Sequence, residues 1–327
     1  MTANTLITKL HFQLSDLSTY RAELMGWSII WIMMLHFRFI TLKPLGFIAQ
    51  YGFAGVEIFM FVSGLGLYYS LAKGPSLPAF YLKRFRRIFP TYYFVGIFAS
   101  LLLFGDTLPL YLFRYTTIGF WTGGPFFEWY IPSIVALYIA APFVKRLITT
   151  RGQWLLLLLC VVVLASAYFA ASDQTFSREH FFFYYRLPAF VGGMYCGKFI
   201  KQQSGTRAFL ALAAAGIPLF ALFFPKHHAI AEFKYYAVFF LLPLFMIALC
   251  TLSKLLSRLL GRASAIIRQT GNASLEVYLI QTLFFSAICS QQLVIAPRWH
   301  DIATLCLMAG CTVAGILLHK LTSRLLP

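Results

Sequence analysis

Apolar runs of span length, each interrupted by only a few polar residues, recur along the whole chain. An α-helix needs about 20 such residues to cross the ~30 Å hydrocarbon core of a bilayer, and it satisfies its own backbone there. The pattern predicts ten spans, over residues 24–40, 51–72, 91–104, 128–144, 154–171, 182–200, 208–224, 235–252, 274–290 and 302–319. The run at 91–104 is the shortest. Pro90 is expected to break the chain ahead of it, leaving the preceding basic residues along the interface. Neither inverted repeats nor interrupted helices stand out, and no Gln/Ser/Pro-rich linker divides the runs. The expected fold class is an all-α integral membrane protein of about ten transmembrane helices. Residues 23–320 read as one transmembrane domain, between a lead-in at 1–22 and a short tail at 321–327.

Composition removes water as the alternative solvent. Apolar residues make up 60% of the chain and charged residues 11%, against about 25% charged in an ordinary soluble domain. The net charge of +17 is a topology signal rather than a nucleic-acid one. Most Lys and Arg fall in the alternate loops that begin with the N-terminus, such as Lys83 to Arg87 and Lys254 to Arg268. The positive-inside rule then puts both termini in the cytoplasm. Residues 1–20 lack the charged start, apolar core and cleavage site of a signal peptide. They are expected to form an amphipathic lead-in on the membrane surface. The six cysteines lie inside apolar runs without metal-type spacing, so buried packing is expected and disulfides are not. The His227-His228 pair lies in an outer loop without spaced Cys or carboxylate partners, so no metal site is expected. No Gly-rich phosphate loop appears, and nucleotide hydrolysis is not indicated.

Ionisable groups inside a span cost roughly 2.5–3.5 kcal/mol each on insertion scales, so each asks for a reason. His36 lies roughly 18 Å along the first span at 1.5 Å per residue, toward the outer leaflet. It reads either as a helix histidine bonded to a nearby carbonyl or as a functional base. Glu57 and Arg186 sit near the outer ends of their spans and form either a structural ion pair or part of a catalytic group. Glu276, near an inner end, can snorkel. The densest feature is Tyr81-Leu82-Lys83-Arg84-Phe85-Arg86-Arg87-Ile88-Phe89-Pro90. It reads as a positive-inside anchor or as a seat for a phosphorylated cytosolic ligand, because an Arg fork matches phosphate oxygens.

Taken in order, these segments resemble the membrane acyltransferase-3 family. The resemblance is carried by Arg21-Ala22-Glu23 leading to His36 and by Gly55-Val56-Glu57-Ile58-Phe59-Met60-Phe61-Val62-Ser63-Gly64. It continues through Lys83 to Pro90, Trp129-Tyr130-Ile131-Pro132, Arg186-Leu187-Pro188-Ala189-Phe190 and Ser274-Leu275-Glu276-Val277-Tyr278. Three positions depart from the common pattern. Met25 stands where many members carry an Arg, Val135 and Ala136 where many carry an acid, and Gln281 where a His is frequent.

The resemblance implies a multi-pass protein of a bacterial-type inner (plasma) membrane that takes an acyl group, usually acetyl, from cytosolic acyl-CoA. The acceptor it implies is a hydroxyl of an extracytoplasmic or lipid-linked glycan-type molecule. Lys83, Arg84, Arg86 and Arg87 would hold the donor's phosphates. His36 would act as general base or as a transient acyl carrier, with Glu57 fixing its tautomer and Arg186 or Ser63 stabilising the oxyanion. The expected partners are membrane lipid and that acceptor, with no metal and no nucleic acid; the sequence leaves the oligomeric state open. Outer aromatic residues such as Phe120, Trp121 and Trp129 read as sugar-stacking groups or as an interfacial belt. A secondary transporter of a small polar solute is the alternative that ten spans with buried His, Glu and Arg also fit.

Overall fold

The computed structural model describes residues 11–37, 43–150, 152–173, 178–224, 233–296 and 299–325. Among these the regular structure is helical, without strands. The principal helices are α1 (Arg21–His36), α2 (Ala54–Ala72), α3 (Leu77–Ala99), α4 (Tyr130–Thr149), α5 (Gln153–Asp173) and α6 (Leu187–Lys201). They are followed by α7 (Thr206–Phe223), α8 (Leu242–Leu259), α9 (Gly261–Asn272), α10 (Ser274–Cys289) and α11 (His300–Leu325).

By length and composition, five helices among the described residues can cross a bilayer: α2, α3 with its continuation to Phe104, α4, α8 and α11. A sixth is added if α9 and α10, bent by 75° at their junction, count as one span. The expected ten are not reached on this basis, for identifiable reasons. Helices α1, α6 and α10 have 16, 15 and 16 residues, short of a full crossing. Two apolar runs are interrupted where the sequence suggested continuity. The run at 182–200 breaks between Arg178–Tyr184 and α6, and that at 235–252 between Phe233–Phe240 and α8. Both α6 and α8 carry Pro in their first turn, where its missing N–H costs nothing and it cannot bond back to continue the preceding helix.

The expected break at Pro90 is absent. Helix α3 starts at Leu77, where the Ser76 hydroxyl accepts from the Ala79 N–H, and runs through Pro90 before ending as a π-helix over Ser100–Phe104. Proline forfeits only one i to i−4 bond, and a long membrane helix tolerates that loss. The basic residues therefore stand on a helix rather than on an interfacial segment. The lead-in also differs from expectation. Phe12, Leu14 and Leu17 are buried in the core, and Asp16 is clamped by Lys254 at 2.6 Å.

Small residues let the central helices touch backbone to backbone, as is usual where lipid removes the hydrophobic drive for association. A Cβ on Gly64 would meet the Phe190 carbonyl, and one on Gly193 would meet that of Phe61, so α2 and α6 lie in direct contact. Gly26 and Gly271 do the same for α1 and α9, against Ile267 and Ala22. Gly55 faces Ser28 and Ile32, while Gly66 faces Arg21. Helices α1 and α2 therefore run antiparallel, with Arg21 near one end of the pair and His36 toward the other.

Candidate active site

One cavity of about 800 Å³ runs between α1, α2, α3, α4, α9 and α10. Its two ends differ in chemistry. At one end the wall carries Arg21, Lys73, Lys83, Arg84, Arg87 and Arg268. At the other it carries His36 with Ile32, Val56, Phe59, Trp129 and Tyr130. Arg21 and His36 sit 15 positions apart on one helix, so roughly 22 Å separates the ends at 1.5 Å per residue. Ser63 and Tyr278 also line the wall.

His36 closes α1 and reaches α10. Its Nδ1 lies 2.8 Å from Gln281 Oε1, and its ring stacks on Phe285 with centroids 4.3 Å apart. The hydrogen bonds around Gln281 fix the direction of this contact. Thr282 donates its hydroxyl to the Tyr278 carbonyl (2.8 Å), which leaves its oxygen to accept from Gln281 Nε2 (3.1 Å). Gln281 thus turns its carbonyl oxygen to His36, and Nδ1 must carry the proton. In the neutral ring Nε2 then holds the lone pair, the state a general base requires.

Glu57 is not the group on Nδ1. Its carboxylate accepts from Tyr185 and from Arg186 Nε at 2.7 Å, and all three side chains are buried. This set stands behind the cavity wall: the Arg186 guanidinium lies 4.9 Å from the ring centroid of Trp129, which itself lines the cavity. Arg186 also donates to the Phe182 carbonyl, bridging the break before α6. Ser63, unlike Arg186, faces the cavity directly.

The basic residues divide by partner. Arg87 is paired with Glu276 at 2.6 Å, and His319 approaches the same carboxylate at 3.2 Å. Arg268 is held by Glu23 at 2.7 Å. Arg84 lies against the rings of Phe80 and Tyr138, with a buried Nε that has no hydrogen-bond partner. Lys83 lines the cavity, but Arg86 is exposed and does not. The wall is stiffened by Glu128, which caps α4 by accepting from the N–H groups of Tyr130 and Ile131, and accepts from the Tyr278 hydroxyl at 2.7 Å.

Sequence reasoning missed Arg21, Arg268 and Gln281 as members of this site. Arg21 enters the sequence reading as part of the resemblance, Arg268 as a topology charge, and Gln281 only as a departure from a pattern. The signal for Gln281 was its position seven residues after Ser274, two turns along a helix that begins at the basic end.

Among the described residues no group of three or more His, Cys, Asp or Glu stands close enough to hold a metal ion. No curated protein and no solved structure matches the chain. The acyltransferase domain model matches residues 24–320, nearly the whole chain, including α1 from Leu24 onward and all of α2, α3, α4, α9 and α10. The chain belongs to the acyltransferase-3 family, and it is a membrane acyltransferase in that general sense.

Proposed function

We propose that the protein moves an acyl group, acetyl in the first instance, from cytosolic acyl-CoA to a hydroxyl on an extracytoplasmic or lipid-linked glycan-type acceptor. The observation that carries the reading is the polarity of the cavity: cations at one end, His36 at the other, one continuous space between them. Its volume of about 800 Å³ suits a large, flexible ligand. The donor's phosphates would meet Lys83, Arg84 and Arg87 at a cytoplasmic mouth, with both termini on that side of a bacterial-type inner membrane. The pantetheine arm would lie along α1 and present the thioester near His36.

His36 Nε2 would take the proton of the acceptor hydroxyl as its oxygen attacks the thioester carbonyl, and the proton would leave with the departing CoA thiolate. Ser63 or the hydroxyl of Tyr130 would face the oxyanion. Glu57 and Arg186 would position Trp129 and the break before α6. An acyl-imidazole on His36 would use the same lone pair.

Inverted membrane vesicles carrying the protein test this directly, supplied with radiolabelled acetyl-CoA and a cell-envelope extract. Label should enter a lipid or glycan fraction with native protein and stay at background with His36→Ala. If neither protein consumes acetyl-CoA above empty vesicles, the acyl-transfer reading is wrong. The interrupted helices around Arg186 and at Leu241 favour a second reading, transport of a small polar solute, since broken helices build transporter sites. Solute uptake without thioester consumption would identify it.

A further inference from the structure

The partner that Gln281 gives His36 is an amide, which orients the ring but carries no charge to set against the one the ring must hold. As the acceptor oxygen bonds to the thioester carbon, its proton passes to Nε2. The imidazole is then a cation until the C–S bond breaks and the thiolate takes that proton away. An acyl group on Nε2, with Nδ1 still protonated, leaves the same positive ring. Glu57, the carboxylate expected beside it, is committed to Arg186 and Tyr185. Two other features act on the ring. His36 is the last residue of α1, at the carbonyl end of the helix, whose dipole favours a cation. Against one face of the imidazole lies Phe285.

The place of Phe285 follows from the sequence of α10. It stands four residues after Gln281, about one turn further along the same helix face. One helix thus presents an amide to the edge of the imidazole and a phenyl to its face. The two ring centroids are 4.3 Å apart and the planes 16° from parallel, so the imidazole lies flat over the phenyl rather than against its rim. A phenyl face carries the negative part of the ring quadrupole, and the rim carries the positive part. A neutral imidazole gains chiefly dispersion from that contact, whereas an imidazolium gains a cation–π attraction as well. The contact therefore strengthens as charge develops, which is the condition for lowering a barrier rather than holding a ground state. Phe285 is not among the described residues that line the cavity, so it acts through His36 and not on the substrate. We propose that Phe285 is a positioning residue for the transfer, holding the plane of His36 and stabilising the positive ring formed in the reaction. The role rests on the reading of His36 as base or acyl carrier; the stack itself rests on the geometry of α1 and α10.

The test replaces Phe285 with phenylalanines carrying one, two and three ring fluorines, which keep the shape but drain the negative face step by step. Full-length protein in proteoliposomes is given acetyl-CoA and a cell-envelope extract, and kcat, KM for acetyl-CoA and melting temperature are read for each variant. The value of kcat should fall with every fluorine, to about threefold to thirtyfold below native for the third, the range of a cation–π contact out of water. KM and melting temperature should stay at their native values. Phe285→Tyr keeps a π face and should retain most of the native kcat. Phe285→Leu keeps apolar bulk without that face and should fall at least as far as the trifluorinated ring. A kcat that does not change through the fluorine series overturns the proposal even where Phe285→Leu is slow, because shape alone then matters. A series in which KM rises while kcat holds also overturns it, since Phe285 would then meet the substrate. Absence of acyl transfer by native protein is a different failure: it removes the acyl-transfer reading, and this role with it.

Discussion

His36 at the end of α1 donates its Nδ1–H to Oε1 of Gln281 on α10, 2.8 Å away. Because Thr282 and the Tyr278 carbonyl orient the amide, a relay of three side-chain and backbone groups sets the tautomer of the ring. The contact joins two helices that lie 245 positions apart in the chain.

Gln281→Leu removes the acceptor and leaves the imidazole free to choose the other tautomer. Acyl transfer should fall by about 10- to 100-fold, the usual cost of losing an orienting partner. Gln281→Glu still accepts the Nδ1–H and should retain more activity than the leucine variant. Both losses should fall on kcat, with KM for the donor unchanged. Initial rates across a donor series in proteoliposomes check this, and a change confined to KM would refute the relay.

The two sides of one glycine pair give a prediction about packing. At Gly193 an added Cβ meets the Phe61 carbonyl of α2, a backbone atom that cannot swing aside. At the neighbouring Gly192 the nearest atom is a ring carbon of Phe61 at 3.6 Å, which is ordinary contact. Gly193→Ala should therefore cost about 1–3 kcal/mol of stability through overpacking. Gly192→Ala should be neutral or gain up to about 1 kcal/mol from helix propensity. Thermal unfolding of the two variants in one detergent makes the comparison.

Much of this architecture was legible as apolar runs, and His36, Glu57 and Arg186 stood out because charge inside such a run needs a reason. What was hidden is the pairing of helices. Gln281 could not be matched with His36, nor Gly66 with Arg21, without knowing that α10 and α2 flank α1. The close packing of α2 and α9 on α1 depends on Gly26, Gly55 and Gly271, whose missing side chains leave no trace in hydropathy. Helix α9 was invisible for a different reason. Arg262 and Arg268 made it read as a basic loop, although its Gly271 lies against α1 and its Asn272 reaches the cavity. Pro90 misled because proline usually ends a helix in water, while α3 is long enough to carry one defect.

A pH effect should arise outside the spans, where α3 meets the helix Leu108–Tyr115. Asp106 accepts from Arg114 Nε and Nη2 at 2.7 and 2.8 Å and from the Ser100 hydroxyl at 2.7 Å. Chiefly these Arg114 bonds hold its carboxyl below the usual range. A depressed carboxylate contributes stability that is fully present above its unfolded pKa, about 3.9, and is lost as pH falls through the folded value. The melting difference between native protein and Asp106→Asn should thus be full at neutral pH and shrink below about pH 4. A difference that grows on acidification would reverse the sign and rule out this origin.

The buried Glu57–Arg186 pair allows stability and chemistry to be separated. Each partner is almost wholly inaccessible, so removing one strands the other's charge in an apolar wall. Arg186→Gln or Glu57→Gln should destabilise by about 3–5 kcal/mol. The double substitution removes both charges and should recover a large part of that loss, because two amides of similar shape can bond to each other and to Tyr185. Activity then decides the role. If the pair only supports Trp129 and the start of α6, the double variant should regain acyl transfer along with its thermal stability. If Arg186 acts on the reacting atoms, the double variant will be as stable as expected and still inactive. Unfolding temperature and transfer rate measured on the same proteoliposomes therefore distinguish a strut from a catalytic group without any knowledge of the acceptor.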